Sequence, residues 1–235
     1  MLVAAAVCPH PPVLVPEVAA GLAAELEECR GACRTAIAAV LAAEPDLLVL
    51  VGSGTAVREH APDAVGSLHP YGLRMRLGSG DGPVTLPLSL GIGRWLLDGA
   101  HAARPPALVL HEICGDAAVA AATGAALADR AERVGMIVLG DGSGYPSQTP
   151  VGDDGRGDRY DAQVLAALAG TDPKFLLDLD PDDDRPLWVA GRPAWQVLAG
   201  AVVAGAAAWR GAVLWRGAPY GVGYFVVLLE PRPDS

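Results

Sequence analysis

Apolar positions along this chain follow two rhythms that alternate from one end to the other. Continuous apolar runs of strand length stand at 2–7, 47–51, 107–110 and 136–139, each followed by proline, glycine or a polar turn. A short unbroken run of this kind reads as a strand buried on both faces, as in a parallel sheet. Residues 16–43 instead repeat apolar side chains every three to four positions (Leu22, Leu26, Cys29, Cys33, Ile37, Val40, Leu41), which predicts one long helix with a buried face. Further helices are expected over 86–100, 116–134, 160–169 and 192–208, and further strands over 71–77, 212–215 and 223–229. Alternation of strand and helix over the whole of 1–235 predicts a single α/β domain. Its mostly parallel central sheet is flanked by helices, with antiparallel strands at one edge.

The remaining stretches are irregular. Residues 58–69 are polar without periodicity, and 146–159 combines proline, glycine and aspartate at a length typical of a lid or an excursion. The acidic turn at 178–184 lacks the glycine and glutamate of a calcium loop and reads as solvated surface. Composition is 51% hydrophobic with mean hydropathy +0.32, but the excess is largely alanine. The most apolar stretch, 197–209, is too short for the roughly 30 Å of a bilayer core. The first residues lack the basic region of a signal peptide, and the prolines at 9–12 cut the apolar run early. A cytoplasmic protein with no membrane partner is expected. Net charge is −10, pI is about 4.8 and Lys174 is the only lysine, which argues against a nucleic-acid partner. Cys29 and Cys33, four apart on the first helix, have no second pair and read as small buried hydrophobes rather than a metal or disulfide framework.

Candidate chemistry gathers at the strand ends. Cys8-Pro9-His10-Pro11-Pro12 follows the first strand, and the flanking prolines restrict the backbone that presents His10. Gly52-Ser53-Gly54-Thr55 follows the second strand, His111-Glu112 a third, and Gly140-Asp141-Gly142-Ser143-Gly144-Tyr145 a fourth. Ligands of open α/β sheets bind beyond the carboxyl ends of the strands, so these segments and 219–223 are expected to converge there. Asp141, Ser143 and Tyr145 are the candidate acid–base residues. His10, His60 and His111 are candidate metal ligands, with Asp141 or Glu112 as the carboxylate. Pro12, Ser53 and Tyr220 are the expected substrate contacts. The small loop at 52–55 has neither the lysine nor the glycine spacing of a phosphate loop.

With Pro9-His10-Pro11-Pro12-Val13-Leu14-Val15-Pro16-Glu17 near its start, Trp195-Gln196-Val197-Leu198-Ala199-Gly200 and Ala218-Pro219-Tyr220-Gly221-Val222-Gly223-Tyr224-Phe225 near its end, and the Gly140-Asp141-Gly142-Ser143 crest between them, the chain resembles the class III extradiol ring-cleavage dioxygenases. The likeness is to their subunit-B-like branch, in a superfamily with DOPA-dioxygenase-like and Memo proteins. It implies a non-haem Fe(II) held by two histidines and a carboxylate, with a further histidine as general base. His10 matches the first iron-binding histidine. The second belongs where Gly52-Ser53-Gly54 stands, the crest histidine near Ser143-Gly144-Tyr145, and the carboxylate near Trp215-Arg216-Gly217-Ala218; none is present.

Three readings follow: an Fe(II) aromatic ring-cleavage oxidoreductase with an altered ligand set, a Memo-like protein that binds a small molecule or partner without catalysis, and a metal-free acid–base enzyme. The third has no Gly-x-Ser-x-Gly elbow to draw on. Relatives commonly associate, so a homo-oligomer is an expectation, with 186–195 as the candidate interface.

Overall fold

A computed structural model describes residues 1–100, 106–144 and 155–232. Strand β1 (Leu2–Cys8) leads through a short 3-10 turn into α1 (Pro16–Ala19), a 3-10 segment (Ala20–Leu26) and α2 (Glu27–Ala42). Then come β2 (Leu47–Ser53), β3 (Arg58–His60), β4 (Gly66–Ser67), β5 (Arg76–Leu77), α3 (Leu88–Asp98), β6 (Ala107–Ile113), α4 (Ala117–Ala128) and β7 (Val134–Leu139). The chain continues with α5 (Arg156–Gly170), α6 (Pro173–Leu177), α7 (Pro181–Leu187), α8 (Arg192–Ala204), β8 (Trp209–Gly217) and β9 (Tyr224–Pro231).

Seven strands form one sheet in the order β3-β6-β2-β7-β1-β9-β8. The four at its centre, β6, β2, β7 and β1, are mutually parallel, while β9 and β3 run antiparallel to their neighbours. This is the α/β architecture expected, and the physical reason is visible in side-chain alternation. Ala5, Val7, Val49, Val51, Met136 and Val138 face one core with α4, α5 and α8, whereas Ala6, Cys8, Leu48, Leu50, Ile137 and Leu139 face a second core with α2 and α3. A central strand that must fill both cores has no room for a polar face.

Helices α4 and α8 approach unusually closely. A Cβ on Gly124 would lie 1.9 Å from the carbonyl oxygen of Val197, and one on Gly200 would lie 2.3 Å from that of Ala121. Only glycine permits that backbone contact. Among the described residues no helix is long and apolar enough to cross a membrane.

Several elements differ from the sequence expectation. The expected helix over 16–43 is broken by the 3-10 segment, and the buried Arg30 donates to the carbonyl of Ala23 within it at 2.5 Å and to Leu14 O of the preceding turn at 3.3 Å. The strand expected over 71–77 is confined to Arg76–Leu77, because His69–Tyr71 forms a 3-10 turn closed by Gly72 at φ 83°. The helix expected over 116–134 is capped by the Asp116 carboxylate and stops at Ala128, so Val134 opens β7. Part of the acidic turn at 178–184 is helical in α7. Residues 58–69, expected to be irregular, supply β3 and β4. The third central strand runs past residue 110 to Ile113, which places His111 and Glu112 within it.

Candidate functional site

Strands β1 and β7 are neighbours, yet the chain leaves them for opposite faces: β1 leads to α2 and β7 to α5. In open α/β sheets such a reversal is where ligands commonly bind, beyond the carboxyl ends of the two strands. The segments that follow both strands meet there. The backbone N–H of His10 donates to Asp141 Oδ1 at 2.7 Å, and the imidazole Nδ1 lies 3.6 Å from the same oxygen. Both residues are buried, at 7% and 9% exposure. His10 Nδ1 is sealed from solvent and has no hydrogen-bond partner, so the accessible remainder of the side chain lies on its other atoms. Burial raises the Asp141 pKa, while the charge and N–H of His10 pull it down; the net direction is up, toward the neutral acid.

The crest after β7 is held from both sides by backbone pairing. Gly144 N donates to Leu187 O at 2.8 Å, and Ala190 N to Asp141 O at 3.3 Å. On the other flank Gly142 N donates to Gly223 O at 2.7 Å, and Gly223 N to Ser143 O at 2.8 Å. Residues 141–144 therefore form the middle rail between 187–190 and Gly223. Ser143 is fixed by Asp161 of α5, which accepts its backbone N–H at 2.7 Å and its hydroxyl at 2.9 Å. A Cβ on Gly223 would lie 1.9 Å from Asp161 Oδ2, so the flanking strand approaches only because that position is glycine. Burial raises the Asp161 pKa to about 6, against the pull of the two Ser143 hydrogen bonds. Asp161 escaped the sequence reading because the helix was expected to start at 160. It starts at Arg156, which sets Asp161 on its second turn beneath the crest.

The expected substrate contacts are spread around this end of the sheet. Pro12 opens the 3-10 turn after His10. Ser53 ends β2, one position past Gly52, which pairs with Leu139 of β7; its carbonyl accepts the Ser89 hydroxyl at 2.7 Å. Tyr220 is half-buried against the α2-side core, near Glu25. Tyr145 lies outside the described residues, as does most of the expected loop at 146–159.

His60 and His111 do not join His10. They stand at the β3–β6 edge, and β2 and β7 separate β6 from β1. At about 4.8 Å per strand, β6 with His111 lies roughly 14 Å from β1 across the sheet and β3 with His60 roughly 19 Å. They also part from each other. In the antiparallel β3–β6 pair His60 lies opposite Leu110 and Arg58 opposite Glu112, while Glu59 lies opposite His111. Side chains directly opposite share a face and successive ones alternate, so His60 sits with Glu112 on the α3 side and His111 projects to the α4 side.

Glu112, 1% exposed, accepts from the backbone N–H of Thr55 (2.7 Å) and Ala56 (3.1 Å) and from Arg58 Nε (2.8 Å), and pairs with His60 Nε2 (2.9 Å). Burial alone would raise its pKa, but these four partners outweigh it and hold the carboxyl at about 2. The cluster pins the loop after β2. His111, by contrast, has both ring nitrogens buried without partners, and burial lowers its pKa.

A metal held as the sequence resemblance implies needs two histidines and a carboxylate on one face. His10 and Asp141 supply two donors, and among the described residues no group of three His, Cys, Asp or Glu side chains is arranged to hold an ion. The donor set therefore does not fit Fe(II) in that geometry. Cys8, Cys29 and Cys33 lie fully buried next to one another in the core. Hydrogen bonding from Cys33 to Cys29 and burial hold the Cys29 thiol far up, so it serves as packing rather than as a thiolate ligand.

No protein-family model and no curated protein matches the chain. Its fold is similar to the crystal structure of an uncharacterized protein, JW3007, from Escherichia coli K12. The match has a TM-score of 0.51 and 12% sequence identity, and covers 97% of this chain and 99% of that one. At that identity the likeness is one of fold.

Proposed function

We propose that the chain is a class III extradiol dioxygenase subunit-B-like protein that retains the carboxyl-end cleft and uses it to bind a small neutral or phenolic molecule without the iron-dependent ring cleavage of active relatives. The observation that carries this reading is the buried His10–Asp141 pair at the carboxyl ends of β1 and β7, with the other two expected histidines three and four strands away. Two donors do not make the three-ligand face on which such iron chemistry depends. The same two groups suit proton exchange with a bound hydroxyl: an imidazole beside a carboxyl that burial keeps toward its neutral form can accept and return a proton within hydrogen-bond reach.

The test pairs anaerobic Fe(II) titration and oxygen uptake over a catechol panel with equilibrium binding of the same phenols to metal-free protein. Saturable binding by metal-free protein, weakened in His10→Ala and without oxygen uptake after Fe(II) addition, supports the proposal. Stoichiometric Fe(II) binding with catechol-dependent oxygen uptake, both lost in His10→Ala, would overturn it in favour of a ring-cleaving enzyme with rebuilt ligands.

A further inference from the structure

A concave site lies at the other end of the sheet from His10 and Asp141. A cavity of about 380 Å³ opens between the end of α2, helix α3 and the first residues of β2 and β6. Leu41, Leu48, Leu97 and Leu108 form its apolar wall. Leu48 and Leu108 are the second residues of their strands and pair with each other, whereas the His10 segment lies past a carboxyl end. With β2 seven residues long at about 3.3 Å each, the two ends stand roughly 20 Å apart. The volume is near the lower bound for a ligand pocket, a site that typically joins apolar lining to a few placed polar groups.

The charged groups here are Arg94 and Asp98, one turn apart on α3, and both line the cavity. Neighbouring loops hold them in place. Arg94 Nη1 donates to Pro62 O at 2.8 Å, and the Ser79 hydroxyl donates to Asp98 Oδ1 at 3.1 Å. The chain passes this close to the arginine stem because residue 78 is glycine at φ 114°; a Cβ there would lie 2.6 Å from Arg94 Cγ. Yet the two heads do not satisfy each other. Arg94 Nε stands 3.6 Å from Asp98 Oδ1, beyond hydrogen-bond reach, and is buried without a partner. Arg94 Nη2 and Asp98 Oδ2 have no hydrogen-bond partner among the described residues either. Their side chains are only 12% and 30% exposed, so bulk water screens the pair incompletely. A buried donor left unmet on a charged group is costly, and a bound molecule is one way to meet it.

The unmet groups define the head of the ligand. A guanidinium with free donors beside a carboxylate with a free acceptor calls for an acceptor and a donor side by side. A lone carboxylate would bond Arg94 but face Asp98, and a lone ammonium would bond Asp98 but face Arg94. A zwitterion leaves every charge paired. We infer that this cavity binds a free α-amino acid with an apolar side chain, its carboxylate on Arg94, its ammonium on Asp98 and its side chain among the four leucines. The site is separate from the His10–Asp141 pair and does not depend on what that pair binds.

Four probes with one branched apolar body test the head: L-leucine, 4-methylpentanoate without the ammonium, 3-methylbutylamine without the carboxylate, and 4-methylpentanamide with an uncharged donor and acceptor. Each is titrated by calorimetry into wild-type, Asp98→Asn, Leu41→Trp and His10→Ala protein, with circular dichroism and a thermal melt on every variant. Wild-type protein is expected to bind L-leucine about tenfold or more tighter than any other probe, the scale of one charge-assisted hydrogen bond. Asp98→Asn is expected to lose about tenfold for L-leucine and to gain for 4-methylpentanoate, a reversal that loosening of the fold does not produce. Leu41→Trp, which fills the apolar half, is expected to abolish L-leucine binding, and His10→Ala to leave it unchanged. Should Leu41→Trp fail to fold, the reversal in Asp98→Asn carries the test by itself. Equal binding of L-leucine and the amide overturns the zwitterionic ligand. Loss of L-leucine in His10→Ala, with none in Asp98→Asn, overturns the site. Silence from all four probes overturns the inference and leaves the reading of the His10–Asp141 pair untouched.

Discussion

His10 and Asp141, 131 residues apart in sequence, are joined by a 2.7 Å hydrogen bond from the backbone of one to the side chain of the other. The bond makes the Asp141 carboxyl a fastener, because it satisfies a buried N–H that no strand partner reaches. Asp141→Ala strands that donor and is expected to lower stability by about 1–3 kcal/mol, whereas Asp141→Asn keeps an acceptor and loses less. Urea denaturation of the two variants side by side checks the ordering; equal losses would show that the N–H finds another acceptor.

Glu112 gives a pH dependence of definite sign. Its folded pKa, about 2, lies below its ordinary 4.5. Its hydrogen bonds therefore stabilise the fold fully above pH 4.5, and that contribution is lost as pH falls from 4.5 toward 2. Wild-type protein is expected to lose more stability over this window than Glu112→Gln, whose side chain does not titrate. Urea midpoints between pH 2 and 6 measure the difference.

Asp161 acts in the opposite sense. Its pKa is raised from 3.8 to about 6, so the folded state holds a proton that the unfolded chain releases earlier. The favourable contribution is present below pH 3.8 and disappears as pH rises through about 6. Asp161→Asn is expected to flatten the profile between pH 4 and 6, and thermal melts of both proteins over that range test it. Ser143→Ala removes one of the two hydrogen bonds that lower the Asp161 pKa, so the falling limb is expected to shift to higher pH in that variant.

Helix packing predicts a third kind of sensitivity. Alanine at Gly124 or Gly200 drives a methyl group into a carbonyl of the facing helix. Overpacking of this sort typically costs about 1–3 kcal/mol, and in a chain of this size each kilocalorie lowers the melting temperature by about 2–4 °C. Gly170→Ala, at a position where an added Cβ meets nothing within 4 Å, is the control and is expected to melt near wild type.

Much of the architecture was legible before any coordinates. The runs at 2–7, 47–51, 107–110 and 136–139 are the four central strands, because strands buried between two layers of helices must be apolar on both faces. His10 was placed at a carboxyl strand end by its prolines and by the strand before it, both local signals. What eluded the sequence were the relations between distant residues. His60 reaches Glu112 across 52 positions, and Ser143 reaches Asp161 across 18. A three-residue edge strand such as Arg58–His60 has too little periodicity to announce itself, yet its pairing with β6 decides which histidine shares a face with which carboxylate. Local periodicity determined which segments are strands and helices and which end of the sheet carries His10 and Asp141. Only the tertiary pairing decided that His10 and Asp141 meet while His60 and His111 do not, because strand order and side-chain facing are set by contacts between segments and not by any one of them.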